Sequence, residues 1–248
     1  MLPRTCTILI IVFFIIGIWP YRLTAERISP LGEEDGLKNE PTIEIETPNE
    51  FCKYDMSQRG KSGYETGYEP GLKKGTSLIA LYVPCLSLEA ADKGKAEWLP
   101  EWIAYEKNIV TFPSDDTRSL GTRGAVKQLC NDARLQKYGH PSYQNTNLVQ
   151  LVVEAYEKLN KENPVIFFGV IHEEERVCYL SSLRLLYSPS GQQHKFLVVT
   201  AFMQTGDRWI YQTLRREVPS QPNDLQSKVA NCLEQTKNVA QAFVKKNF

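Results

Sequence analysis

Five of the six cysteines in this 248-residue chain lie beyond residue 50, at Cys52, Cys85, Cys130, Cys178 and Cys232, alongside three scattered histidines, His140, His172 and His194. A thiol does chemistry as its thiolate, which a neighbouring histidine can sustain. Cys85 follows Pro84 at the end of an apolar run and is the candidate nucleophile. Paired with His140 or His172 it would make a thiol-dependent hydrolase or redox enzyme. A disulfide or a buried free thiol are the competing roles. In an oxidising compartment one or two disulfides are expected, and an odd count leaves at least one thiol over. Cys130 and Cys232 fall on apolar helix faces, which suits small buried hydrophobes. Metal chemistry has no spacing to rest on, since no His-Glu-x-x-His, Cys-x-x-Cys or His-x₃-His occurs. The run His172-Glu173-Glu174-Glu175 falls at an expected hairpin tip, where charged side chains are simply solvated. Neither a Gly-x-Ser-x-Gly elbow nor a phosphate-binding loop is present, so no cofactor and no metal are expected.

Binding has better candidates than catalysis. Gly63-Tyr64-Glu65-Thr66 and Gly67-Tyr68-Glu69-Pro70 state one four-residue unit twice. Two tyrosines on a glycine-rich loop can form a recognition surface, because Tyr offers amphipathic area at little entropic cost; a strand edge with a turn is the competing reading. Trp98 and Trp102, with Leu99 and Ile103, form an apolar cluster that would seat on a membrane or partner if exposed, and joins the core if not. Arg215-Arg216 after Trp209 and Tyr211 hints at base stacking. The 29 basic and 29 acidic side chains balance, which argues against a nucleic-acid partner.

That balance is a sum over unlike segments. Residues 1–25 carry a charge of +2, residues 26–55 carry −6, and the remainder +4. Ile8–Trp19 is an unbroken apolar run, short for a bilayer span but well sized for a secretory signal. Two readings stand: a signal peptide cleaved after Ala25, or an uncleaved N-terminal anchor attaching the chain to the membrane. Both export the rest, to the periplasm, the exterior or the outer face of the membrane. Residues 26–50, acidic and punctuated by Pro30, Pro41 and Pro48, read as a flexible linker.

The remaining residues, 51–248, read as a single domain of class α+β. Thr76–Val83 is an expected strand, Leu86–Lys93 a short helix, and Trp102–Lys107 a further strand. Ser119–Lys137 and Asn147–Leu159 carry apolar residues at helical spacing, and Pro164 forbids continuation of the second. Val165–His172, Val177–Tyr187, Lys195–Gln204 and Arg208–Val218 are four strands with separators so short that they must form antiparallel hairpins. The third is apolar on both faces and belongs inside the sheet. Leu225, Val229, Cys232, Leu233, Val239, Ala240 and Phe243 then mark one stripe of an amphipathic C-terminal helix, which must lie across the meander. An antiparallel sheet ending in a meander and a helix resembles the α+β fold of the Mog1/PsbP-like group. That resemblance implies a non-catalytic binding or assembly role. The expected function is therefore an exported or anchored binding module of the cell envelope, with a protein or envelope component as partner. A small-ligand carrier with a pocket between sheet and helices, and the Cys85 enzyme, are the alternatives.

Overall fold

In the computed structural model the described residues are 43–56, 66, 76–96, 98–108, 115–135, 147–205, 208–219 and 222–248. Ile8–Trp19, Tyr64, Tyr68 and His140 lie outside them. Seven strands form one antiparallel sheet: β1 (Phe51–Lys53), β2 (Thr76–Pro84), β3 (Trp102–Asn108), β4 (Val165–Glu174), β5 (Val177–Tyr187), β6 (Gln193–Thr205) and β7 (Arg208–Glu217). Their spatial order is β1-β2-β3-β7-β6-β5-β4. The C-terminal meander is thus continuous, and the last strand, β7, joins it to β3. β6 lies inside the sheet, as its two apolar faces require. Gly191, at φ 82°, turns the chain between β5 and β6.

Four helices complete the α+β fold: α1 (Cys85–Asp92), α2 (Asp115–Leu135), α3 (Leu148–Tyr156) and α4 (Pro222–Asn247). In α3, Leu148, Leu151, Val152 and Ala155 repeat at helical spacing and are all buried. The Asn147 side chain caps its start, accepting from the Val149 N–H at 2.9 Å. Leu225, Val229, Cys232, Ala240 and Phe243 of α4 join α3 on one sheet face, packing on Tyr105, Leu197, Val199, Met203, Ile210 and Leu214. On the other face, Val126 and Cys130 of α2 meet Cys178, Leu180 and Phe202. Also there, Leu88 and Ala91 of α1 cover Leu81, Val83, Trp102 and Ala104.

The chain joins this domain earlier than its acidity suggests. Ile43 and Ile45 pack against the main core, Pro48 is buried, and the compact unit begins at Thr42. For residues 43–50 the linker reading gives way, because Ile43-Glu44-Ile45-Glu46 alternates and one side of it is apolar. Asn247 holds this arm in place: the Glu44 N–H donates to Asn247 Oδ1 at 3.0 Å, and Asn247 Nδ2 donates to the Glu44 carbonyl at 2.8 Å.

Two disulfides cross-link the fold. Cys52–Cys85 ties β1 to the start of α1, and Cys130–Cys178 ties α2 to β5. Cys130 is buried, as its apolar helix face implies, but as a cross-link rather than a free thiol. Cys232 is the buried free thiol among the described residues. Both bridges are compatible with an exported, oxidising environment. No helix among the described residues is long and apolar enough to cross a membrane.

Candidate functional site

The candidate nucleophile is chemically occupied. Cys85 Sγ is bonded to Cys52, so it offers no thiolate. Nor does the topology bring it to His172: Cys85 follows β2 and His172 lies on β4, five strand spacings away, or roughly 24 Å. Burial pushes the Cys232 thiol up to about 12, which keeps it protonated.

The tryptophans do not make an open patch. Trp102 is 8% exposed, and the Arg215 guanidinium lies over its ring at 4.6 Å. Trp98 is half-buried and packs edge-on against His194 and Phe196, at 4.8 and 5.8 Å. Beneath it, His194 Nδ1 and Glu217 Oε1 stand 2.6 Å apart, while the buried Nε2 makes no hydrogen bond. Arg215 also donates through Nε to the Pro100 carbonyl at 2.6 Å and through Nη2 to the carbonyl of Thr66, a buried residue between Tyr64 and Tyr68. Arg215 is thus committed to holding neighbouring backbone rather than presented to solvent.

His172, Glu173 and Glu174 are not at a solvated tip. They continue β4, and the turn is Glu175-Arg176. Glu173 pairs with Arg134 at 2.7 Å and Glu175 with Arg123 at 2.5 Å, both across to α2. Glu174 accepts from the Tyr179 hydroxyl and from Gln241 Nε2, each at 3.2 Å. The groove these residues line, about 500 Å³ with Gly124 and Lys127, is a seam of matched charges. Among the described residues no cluster of ligand side chains could hold a metal ion.

A second cleft, of about 460 Å³, has the opposite character. It lies between residues 46–50 of the arm and the polar flank of α4. Asn231, Glu234, Gln235 and Asn238 line it at helical spacing, one step around from the stripe that packs on the sheet. Tyr105 of β3 and Arg216 of β7 also line it. Strand alternation sends Arg216 to the face opposite Arg215, towards α4. Its side chain is 17% exposed, with the guanidinium carbon 6.0 Å from the centre of the Phe51 ring. Nε is buried without a hydrogen-bond partner, and its nearest carboxylate, Glu101, stands 3.8 Å away.

Tyr105 is 1% exposed, its ring packed on Phe243 and Tyr82. Burial first, then nearby Tyr82 and Glu46, hold its phenol well above the usual tyrosine range. Gln235 Oε1 and both amide atoms of Gln212, which pairs with Tyr105 across β3 and β7, are likewise buried without partners. Unmet buried polar atoms cost about 1–3 kcal/mol each, and those of Arg216 and Gln235 belong to residues lining this opening.

The arm that roofs the cleft is held at several points. Glu46 pairs with Lys246 at 3.1 Å, and the Cys85 N–H donates to the Glu50 carbonyl at 2.9 Å. Glu50 sits at φ 68°, a left-handed conformation that costs a non-glycine residue about 1 kcal/mol or more. Of the cleft's residues only Arg216 figured among the sequence candidates, and there as half of a base-stacking pair. The available signals were the Ile-Glu alternation of the arm and the polar flank beside the apolar stripe of α4. Comparison with family models, with curated proteins and with solved structures returned no match to this chain.

Proposed function

We propose that this chain is an exported or membrane-anchored, non-catalytic binding module of the cell envelope, and that its ligand enters the cleft between the arm and α4. The observation that carries this reading is Arg216, a largely buried guanidinium that lines an opening and whose Nε has no hydrogen-bond partner. A structural arginine is normally satisfied where it is buried, and even the exposed arginines of α2 meet carboxylates at 2.5 and 2.7 Å. An anionic ligand in the cleft would offset the cost of holding that charge there. Thiol catalysis is not supported, since Cys85 is oxidised and Cys232 is buried and protonated. The two disulfides support an address in the periplasm, outside the cell or on the outer face of a membrane. Thr66 supports a second mode of the same role. Its carbonyl accepts from Arg215, two residues in sequence from each of Tyr64 and Tyr68, the tyrosines on which a protein partner would dock.

The test is a ligand-observed NMR fragment screen on the protein purified from its own exported or membrane fraction. Fragments are expected to bind the native chain, to fail with Arg216→Gln, and to bind normally to Arg123→Gln in the other groove. Binding indifferent to Arg216→Gln, or no binding at all, would overturn the cleft as the site.

A further inference from the structure

The arrangement of charge within the cleft narrows its ligand. Resting on the binding reading above, we infer that the cleft takes a small zwitterion with a free carboxylate and a free ammonium group, the chemistry of an amino acid or short peptide. The carboxylate points inward to Arg216 and Tyr105, and the ammonium outward to Glu50 and Glu234.

Depth comes from burial. Tyr105 and Arg216 form the floor, whereas Glu50 and Glu234 are exposed and form the rim. At the floor, a planar guanidinium calls for a planar anion that accepts two parallel bonds. The Tyr105 hydroxyl is a second donor there, because burial keeps it protonated. Gln235, whose buried Oε1 has no partner, lines the same opening and adds a polar amide to its wall. At the rim, Glu46 is neutralised by Lys246, which leaves Glu50 and Glu234 as carboxylates facing whatever enters. Glu101, 3.8 Å behind Arg216, adds a further negative charge.

A single guanidinium among these carboxylates repels a dianion such as phosphate or sulfate, and a simple monocarboxylate leaves the rim unmatched. A zwitterion meets both ends. The volume of about 460 Å³ lies in the range of small-molecule sites and admits a free amino acid or a peptide of two or three residues.

Isothermal titration of the full chain with dialanine, its C-terminal amide, its N-acetyl derivative and inorganic phosphate separates these ideas. Dialanine is expected to bind. Amidation of its carboxylate, or Arg216→Gln, should weaken binding by at least about tenfold, the usual loss for a charge-assisted hydrogen bond. N-acetylation, or the pair Glu50→Gln and Glu234→Gln, should weaken it several-fold, and Arg123→Gln should change nothing. Phosphate binding as tight as that of dialanine, or equal binding of the amide, overturns the zwitterion. So does failure of the whole peptide series, even if Arg216-dependent fragments still bind and the cleft stands as a site. If neither peptides nor fragments bind, both readings fall together.

Discussion

Two openings of nearly equal size flank this sheet, and their electrostatics are opposite. The groove between α2 and β4 measures about 500 Å³; its Arg123 meets Glu175 at 2.5 Å, and its Glu173 meets Arg134 of α2 at 2.7 Å. The cleft between the arm and α4 measures about 460 Å³, and Arg216 at its floor has no hydrogen bond to Nε and no carboxylate closer than 3.8 Å. The first has its charges matched from within and works as a seam that seats α2. The second leaves donors and acceptors waiting. Volume does not separate a site from a packing defect here; the satisfaction of its polar groups does.

The contrast can be broken in several places. The largest effect is expected at the seam, where Cys130–Cys178 closes a separation of 48 residues. Cys130→Ser should cost about 4 kcal/mol by the chain-entropy account. Chemical denaturation reads this, and a loss below about 1 kcal/mol would show that α2 is seated without its cross-link. Next comes alkaline unfolding. The Tyr105 and Tyr179 phenols, both in the core beneath α3 and α4, are raised above the unfolded value of about 10, burial being the leading cause in both. The unfolded chain therefore loses these protons first. Their stabilising contribution is complete below pH 10 and is lost as pH rises above it, by about 1.4 kcal/mol per pH unit for each group. Melting curves between pH 9 and 11.5 should steepen accordingly, and Tyr105→Phe should remove one proton's share.

The arginines should then differ in sign. Arg216→Met is expected to leave stability unchanged or raise it by about 1 kcal/mol, because an ill-paired buried charge is removed. Arg134→Met, which breaks the pair with Glu173, should lower stability by about 0.5 kcal/mol, given how much solvent both groups see. Equal losses in thermal melts would erase the distinction between the openings. A pair of phenol deletions at neutral pH sharpens it further. Tyr179→Phe forfeits the bond to Glu174 and should cost about 1 kcal/mol, whereas Tyr105→Phe should cost less than about half of that.

Much of the architecture was legible because it is local. The strands of the meander announce themselves through alternation and short separators, and α3 through Leu148, Leu151, Val152 and Ala155. What failed was non-local. The Cys52–Cys85 pairing follows from β1 lying beside β2 and Cys130–Cys178 from α2 packing on β5, and no spacing along the chain encodes either placement. Cys130 is a core residue, as its apolar helix face implies, but such a face suits a half-cystine as well as a thiol. The arm was read as a tether because its acids outweighed Ile43 and Ile45 in composition, although their alternation carried the opposite message. Arg216 was hidden by its neighbour: Arg215-Arg216 looks like one basic patch until strand pleating sends the two to opposite faces.

The junction of β3 with β7 also dictates a timetable. Residues 102–107 pair with residues 210–215, so the first three strands find their seat only after almost the whole chain is available. A polypeptide threaded across a membrane from its N-terminus would deliver β1, β2 and β3 long before the strand that receives them. The meander, by contrast, can pair as it emerges, hairpin by hairpin. Cys130 and Cys178 straddle the two groups of strands, whereas Cys52 and Cys85 both belong to the early one. Oxidation of the first pair to emerge would therefore precede sheet closure, and loss of β7 by truncation would strand both halves rather than shorten one edge.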